Sequence, residues 1–99
     1  EYILVKYNGI DIYTLYKYGR IALADTVHHI EATRDRPDLF YSESNLIPVS
    51  RKGHEEIHAR YKDECRRMVQ QELQKYKEKF EKQGGCDKVR KHSVTTTYA

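Results

Sequence analysis

The sequence contains few of the residues and patterns that mark several large classes of protein. Its 99 residues include two cysteines, Cys65 and Cys86, which are too few for a disulfide framework and lack the Cys-x-x-Cys spacing of zinc sites. The longest apolar runs, residues 2–5 and 21–24, are far shorter than the roughly 20 residues that cross a bilayer. No signal-peptide pattern opens the chain. These absences predict a soluble, cytoplasmic protein in a reducing compartment, with no membrane partner.

The length of the chain and the position of its one methionine indicate how the chain is organised. With 99 residues and no internal repeat, it is neither a large two-domain enzyme nor a solenoid. The sequence begins at Glu1 and its one methionine is Met68, so we expect an upstream segment to precede it. We expect a single domain over residues 1–82. Residues 83–99 lack apolar periodicity and are predicted to form a flexible basic tail.

Charge is unevenly distributed between the two halves of the chain. Residues 1–50 carry 5 basic and 7 acidic side chains, whereas residues 51–99 carry 13 basic and 8 acidic ones. A basic region is typical of a surface that contacts phosphates, but a charged helix in solvent has the same composition. Composition alone favours the solvated helix and leaves both interpretations open.

The first third of the chain favours extended structure. Tyrosines and aliphatic residues are frequent in residues 2–30. The pairs Asn8-Gly9 and Tyr18-Gly19 are turn signals, so we expect short β segments on either side of these glycines. Residues 12–15 also fit a helical turn. Residues 20–31 are rich in β-favouring side chains without a helix cap, which predicts a strand pair or a bent strand.

A loop and a second extended segment follow. Residues 32–44 contain the Asp, Arg, Pro and Ser chemistry of loops. They enclose a small apolar cluster, residues 39–41, which we expect to fold back onto the core. Residues 46–49 are apolar and predict a short extended segment that leads to the next element.

A long amphipathic helix is predicted after Ser50, which is a good N-cap. Apolar residues recur behind it at helical spacing, so the helix is expected over about residues 51–82, with Gly84 and Gly85 as its stop. At 1.5 Å per residue it would be roughly 48 Å long, so we expect its second half to project or to pair in a homodimer. The expected buried stripe consists of Ile57, Tyr61, Cys65, Met68, Val69, Leu73, Tyr76 and Phe80.

Four of the five histidines fall in two close pairs. His54 and His58 are one helical turn apart, so both can bind one divalent ion. His28 and His29 point to opposite faces if the backbone is extended. One of these two can therefore bind the ion while the other, oriented through a backbone carbonyl, deprotonates a water. The alternative for either pair taken alone is an ordinary surface or core histidine.

Together these residues resemble the HNH nucleases, whose ββα-metal motif is a strand pair, a loop and a helix around one divalent cation. The order and spacing are similar to colicin-type nucleases, and the surrounding residues to small phage-borne HNH endonucleases. The resemblance implies an α+β fold: a small ββα-metal (His-Me finger) motif over about residues 20–62, a tyrosine-rich N-terminal segment, and a helical extension over residues 63–82. The matching segments are Val27-His28-His29-Ile30, Asn45-Leu46-Ile47-Pro48-Val49 and His54-Glu55-Glu56-Ile57-His58.

The resemblance also implies a role for each matching residue. His29 would be the general base, and Asn45 would hold it in place by tying the loop to the strand. One divalent ion, whether Mg, Mn, Ni or Zn, would be bound by His28, His54 and His58. The basic residues that could hold the DNA backbone, each explained nearly as well by a solvated surface, are Arg34, Arg36, Arg51, Lys52 and Arg60.

One departure from the family pattern is plain. Many phage-type relatives carry two cysteine pairs that bind a structural zinc ion. Here the corresponding places, near Asp11 and Thr14 and at Ser50 and Gly53, hold no cysteine. We therefore expect no zinc knuckle, and expect the tyrosine-rich segment to stabilise the fold by packing on the C-terminal helix.

The chemistry that such a site would support is phosphodiester hydrolysis. A divalent ion stabilises negative charge on the phosphoryl and leaving oxygens, and an imidazole that titrates near neutral pH can activate a water. We expect a metal-dependent DNA endonuclease. One alternative is a non-catalytic module in which the histidines hold a structural zinc and the basic helix binds nucleic acid or a partner helix. The other is a helical dimerisation domain with incidental histidines.

Overall fold

The computed structural model describes residues 2–82, and the tail expected over residues 83–99 lies outside them. The described chain is a small mixed α+β domain with four α-helices and one two-stranded antiparallel sheet. None of its described helices combines the length and apolar character needed to cross a membrane. The elements in chain order are α1 (Tyr2–Lys6), α2 (Ile12–Tyr18), β1 (Thr26–His29), β2 (Leu46–Val49), α3 (Arg51–Asp63) and α4 (Arg66–Lys82), with 3-10 turns at Pro37–Leu39 and Glu43–Asn45.

Residues 2–6 and 12–18 are helical, so the β segments expected there are wrong and the alternative of a helical turn over residues 12–15 is confirmed. The two predicted turns are confirmed, because Asn8 and Gly9 both have positive φ and Gly19 ends α2 in the left-handed conformation. Helix α2 begins after Asp11, whose carboxylate accepts a hydrogen bond from the Thr14 backbone N–H at 2.9 Å. This N-cap supplies a helix start that the β propensity of the neighbouring tyrosines obscured.

The tyrosine-rich segment packs on α4, as expected from the missing zinc knuckle. The Tyr7 ring lies 5.3 Å from the Phe80 ring, and Tyr13 and Tyr16 lie 6.4 and 5.9 Å from the Tyr76 ring. Tyr7 and Tyr13 are almost fully buried. Helical backbone places these rings on the face that meets α4, so tertiary packing overrides the preference of tyrosine for strands.

The two strands pair antiparallel, with His28 opposite Ile47 and His29 opposite Leu46. The extended segment predicted over residues 46–49 is confirmed. The strand predicted over residues 20–31 is limited to β1, and the residues before it form a loop joined to the rest by a single bridge between Ile10 and Leu23. Successive side chains of β1 alternate, so His28 is buried and His29 is half-buried.

The aromatic residues of the long loop stay at the surface, so the expectation that they fold back onto the core is wrong. Tyr41 is 87% exposed and Phe40 is 43% exposed. The Phe40 ring instead stacks on the His29 ring, with centroids 5.0 Å apart. Phe40 stays outside the core because it stacks on His29, whose side chain lies on the outer face of β1.

The C-terminal helix is interrupted, so the single helix predicted over residues 51–82 is wrong. Helix α3 begins after Ser50 as predicted, and the Ser50 hydroxyl accepts a 3.0 Å hydrogen bond from the Gly53 N–H. It ends at Asp63, because Glu64 is extended, and α4 then packs against α2 and α3. The chain is 40 Å in its longest dimension. Since α4 packs on the domain and does not project, helix length is no longer a reason to expect a homodimer through this helix. The homodimer stays a prediction.

Arg60 joins the two helices across the interruption. Its guanidinium donates to both oxygens of Glu64 at 2.8 and 2.9 Å, and to both oxygens of Glu72 on α4 at 2.9 Å each. Two non-helical residues shift the phase of the apolar stripe, so Cys65 and Met68 are exposed and the prediction that they are buried is wrong. The rest of the stripe is buried or partly buried: Ile57, Tyr61, Val69, Leu73, Tyr76 and Phe80.

A buried carboxylate links α2 to the start of α3. Asp11 is fully buried and accepts hydrogen bonds from the Thr14 hydroxyl at 2.7 Å, the Ser50 N–H at 2.8 Å and the Ser50 hydroxyl at 2.6 Å. Gly53 approaches so closely that a Cβ there would lie 2.7 Å from the Asp11 carboxylate. The four positions where the resemblance would place zinc-binding cysteines therefore do converge, here on a carboxylate.

Candidate metal centre

Three imidazoles converge between the sheet and α3. His28 comes from β1, and His54 and His58 come from the first two turns of α3. One nitrogen of each ring lies within 4.8 Å of the others, and the Nε2 atoms of His54 and His58 are 3.0 Å apart. Two nitrogens bound to one ion at about 2.1 Å lie at most about 4.2 Å apart, so small ring rotations suffice. This cluster could hold a metal ion.

Local chain geometry brings the three rings together. Pairing of β1 with β2 sets His28 beside Ile47, which is fully buried. Ser50 follows β2 directly and caps α3, so His54 lies in the first turns of the helix, next to the sheet. The His28 ring centroid is then 5.1 Å from that of His54 and 5.3 Å from that of His58. The hairpin and the cap together position the cluster.

Burial favours the neutral form of two of these imidazoles, those of His28 and His54. Desolvation, followed by the neighbouring His54, His58 and His29, lowers the pKa of His28 to about 3. Burial and then His58 also lower the pKa of His54, against an opposing effect of Glu55. Metal ions bind the neutral form of histidine, so a lowered pKa removes competition from protons at neutral pH.

Tyr61 orients the His28 ring from the next turn of α3. Its hydroxyl donates to the Ile30 carbonyl at 2.8 Å and lies 3.1 Å from His28 Nε2. Burial raises the pKa of Tyr61, so the hydroxyl keeps its single proton. Because the carbonyl takes that proton, His28 Nε2 is the donor to the hydroxyl oxygen and Nδ1 carries the lone pair. From the sequence, Tyr61 is predicted only as a core residue, although it follows His58 by three residues.

The cluster opens into a cavity of about 280 Å³ that His29 also lines. His29 Nε2 lies 3.2 Å from the Phe40 carbonyl oxygen. A carbonyl only accepts, so Nε2 carries the proton and Nδ1 is the basic nitrogen. The cavity is lined by Val27, His28, His29, Ala32, Thr33, His54, His58, Tyr61 and Arg66.

Asn45 ties the loop to the strand end beside His29. Its side chain is buried, accepts from the Glu31 N–H at 2.8 Å and donates to the Glu31 carbonyl at 3.0 Å. The Asn45 backbone carbonyl accepts from the Ile30 N–H at 2.8 Å. The backbone just after His29 is therefore held by three hydrogen bonds from one residue.

The basic residues expected from the sequence do not line the cavity. Arg36 pairs with Asp38 at 2.9 Å, and Arg60 is engaged at the α3–α4 corner. Arg34, Arg51 and Lys52 are exposed elsewhere on the surface. Arg66, which the sequence analysis did not single out, is the arginine that lines the cavity. A continuous helix would have left it on a solvated face, and no glycine or proline marks the interruption that precedes it.

In the part of the chain that the structure describes, no fourth histidine, cysteine or carboxylate joins the three imidazoles. Structural zinc sites are closed by four protein ligands, whereas catalytic sites use three and keep a position open for water or substrate. The donor set and the adjoining cavity match the open type.

Comparison with known proteins assigns no relative to the chain: no family model, curated protein or solved structure matches it. The function is therefore inferred from the site itself.

Proposed function

We propose that the chain is a metal-dependent DNA endonuclease that hydrolyses phosphodiester bonds through a ββα-metal motif of the HNH type. One observation carries the proposal: His29 lines the same cavity as the three converging imidazoles, and its basic Nδ1 is set by the Phe40 carbonyl. A purely structural metal site needs no fourth imidazole beside it. A hydrolase needs one as its general base.

The order of elements supports the same assignment. β1 and β2 form an antiparallel pair, and α3 follows at once with His54 and His58 in its first two turns. His28 and His29 are adjacent in β1, so one reaches the cluster and the other stays free for proton transfer. This is the arrangement that the resemblance to HNH nucleases predicts for residues 20–62.

Each residue of the site then has a distinct task. His28, His54 and His58 would hold one divalent ion, which when bound polarises the phosphoryl oxygen and stabilises the charge on the leaving oxygen. His29 Nδ1 takes a proton from a water, the water oxygen forms a bond to phosphorus, and the bond from phosphorus to the 3′ oxygen breaks. Solvent supplies the proton that the 3′ oxygen gains. Asn45 keeps His29 in place through the backbone of Glu31.

Nicking of supercoiled plasmid by the purified chain tests the proposal. The parent should nick DNA with magnesium, manganese, nickel or zinc, and chelator should abolish the activity. His29→Ala should nick about 10² to 10⁴ times more slowly, because general-base catalysis contributes that much. Its metal affinity should stay unchanged, since the ligand set is intact. Raising the pH should partly restore His29→Ala, since hydroxide then replaces the base.

His58→Ala is the matched control. It removes a metal ligand, so it should lose metal affinity and gain little from higher pH. A His29→Ala variant that nicks at the parental rate would remove the base and contradict the proposal. A parent that binds a divalent ion but never nicks DNA would favour the non-catalytic, metal-stabilised module instead. No metal uptake at all would favour a helix-pairing domain.

A further inference from the structure

We infer that Arg66 is a phosphate-binding residue of this site and holds a non-bridging oxygen of a phosphate beside the histidine cluster. The inference rests on the proposed function only for the identity of the phosphate, a DNA phosphodiester. The anion site itself depends only on the cavity and the charges around it.

The position of Arg66 is the first observation that supports phosphate binding. Arg66 lines the 280 Å³ cavity together with all four histidines of the site. Its guanidinium carbon lies 4.7 Å from the centroid of the Tyr61 ring, and the Tyr61 hydroxyl lies 3.1 Å from His28 Nε2. The ring holds the guanidinium by a cation–π contact without occupying its N–H donors. The arginine is thus held at the site with its donors free for a ligand.

Charge is the second argument. No carboxylate of the described residues forms an ion pair with Arg66, whereas Arg36 and Arg60 each pair with two. The other titratable groups that line the cavity are histidines and Tyr61, which carry no negative charge at neutral pH. Glu31 is a carboxylate outside the cavity: it shares the adjoining groove with Arg66 without forming an ion pair with it. An arginine without a carboxylate partner beside a metal-binding cluster creates a positive potential that an anion would compensate. Arginine binds phosphate through two parallel N–H donors, which suits a non-bridging oxygen pair.

The helix interruption is the third argument, because it places Arg66 at the cavity. Glu64 is extended, and α4 starts at Arg66 before running back over α2 and α3. Arg60 fixes this corner through Glu64 and Glu72. Arg66 also lines a second groove along α4, which it shares with Glu31 and the neighbouring Arg67, but Arg67 does not line the histidine cavity. These two adjacent arginines therefore differ in position but share charge and exposure.

Phosphate binding can be measured without DNA cleavage. The full chain is loaded with cobalt(II), and inorganic phosphate is titrated while the visible absorption of cobalt is recorded. Arg66→Gln should weaken phosphate binding about tenfold or more, because a charge-assisted hydrogen bond is lost. Arg66→Lys should be intermediate, since it keeps the charge but loses the two-pronged geometry. Arg67→Gln, the matched control, should bind phosphate like the parent, and all variants should keep parental cobalt affinity.

Plasmid nicking by the same variants separates this inference from the proposed function. If the parent nicks DNA, Arg66→Gln should raise the KM for DNA and lower the salt dependence of binding by about one charge. If the parent never nicks DNA but phosphate binding depends on Arg66, the anion site stands and the nuclease proposal fails. Equal phosphate affinity in parent and Arg66→Gln, equal losses in Arg66→Gln and Arg67→Gln, or no phosphate binding by the parent would each overturn the inference.

Discussion

Removal of the Tyr61 hydroxyl is expected to change metal affinity much more than the stability of the fold. It contacts His28 Nε2 and also donates to the Ile30 carbonyl. That carbonyl has a second donor, Gln70 Nε2 at 3.1 Å, so it stays paired when the hydroxyl is removed. The aromatic ring, which supports Arg66, is untouched by a change to phenylalanine.

Tyr61→Phe is therefore expected to weaken metal binding while leaving the fold nearly as stable. Loss of the residue that orients a metal-binding histidine lowers affinity by about 10- to 100-fold. The free energy of unfolding should fall by only about 1 kcal/mol, the value of one hydrogen bond. Competition with a chromophoric chelator measures the metal affinity, and urea denaturation measures the free energy of unfolding.

Tyr41→Phe is the control, because Tyr41 is 87% exposed and its ring contacts Phe40 rather than any of the three clustered histidines. It should leave both quantities unchanged. Parental metal affinity in Tyr61→Phe would show that His28 needs no orientation by this hydroxyl.

At the residue scale, the sequence predicted the convergent histidines and missed what surrounds them. Spacing alone places His54 and His58 on one helical face, and strand alternation separates His28 from His29. Tyr61 and Arg66 reach the cavity through tertiary contacts: packing of α3 on β1, and the turn between α3 and α4. Local periodicity contains no information on either contact.

At the scale of elements, the same limit explains the helix that was predicted too long. Residues 51–82 keep an apolar stripe throughout, and no glycine or proline lies between residues 54 and 82. The interruption after Asp63 is stabilised by Arg60, which reaches Glu64 and Glu72 together. It lets α4 cover α2, so burial gained across the chain outweighs the helical hydrogen bonds lost at the corner. The N-cap at Ser50 depends on local chemistry and was predicted. The stop expected at Gly84 and Gly85 lies outside the described residues.

Lys77 on α4 makes the packing of this helix sensitive to pH. Its side chain is 5% exposed, and Nζ donates to the Glu43 carbonyl at 2.6 Å. Burial lowers the pKa of Lys77 from 10.5 to about 8, although Glu81 acts in the opposite direction. The lysine is more readily neutral in the folded chain than in the unfolded chain.

The sign of the effect follows from proton counts. Between the folded pKa and the unfolded value, the unfolded chain binds more protons, so stability rises with pH. From about pH 8 to about pH 9.5 the free energy of unfolding should increase by about 1 to 2 kcal/mol, at 1.36 kcal/mol per pKa unit. Above about pH 10 the trend reverses, because burial raises the pKa of Tyr13, Tyr61 and Tyr76 and the unfolded chain then loses protons first.

Lys77→Met removes the titrating group while keeping an unbranched apolar side chain. Its free energy of unfolding, measured by urea denaturation at the same pH values, should be nearly flat from about pH 8 to about pH 9.5. A parental curve that is also flat, or an equal rise in Lys77→Met, would show that Lys77 does not cause the dependence.

At the scale of the whole molecule, Asp11 connects the N-terminal helices to α3, the element that carries His54 and His58. It caps α2 through Thr14 and binds both the N–H and the hydroxyl of Ser50, which lies 39 positions along the chain. Ser50 in turn caps α3, from which His54 and His58 project. A carboxylate with four donors thus lies among the four positions where the resemblance to HNH nucleases would place a structural zinc ion.

Asp11→Ala is expected to lower the free energy of unfolding by about 3 kcal/mol or more, because it leaves several buried donors without an acceptor. Ser50→Ala, the matched control, should lower it less, by about 1 to 2 kcal/mol, since the cap and one donor to Asp11 are lost but the carboxylate keeps its other three donors. Asp11→Asn keeps one acceptor oxygen, so its loss in free energy of unfolding should lie between those of Asp11→Ala and Ser50→Ala. Urea denaturation of the chelator-treated chain measures all three, so that bound metal does not contribute. An Asp11→Ala variant within 1 kcal/mol of the parent would mean that packing of the tyrosine-rich segment on α4, rather than the carboxylate, holds α2 against α3.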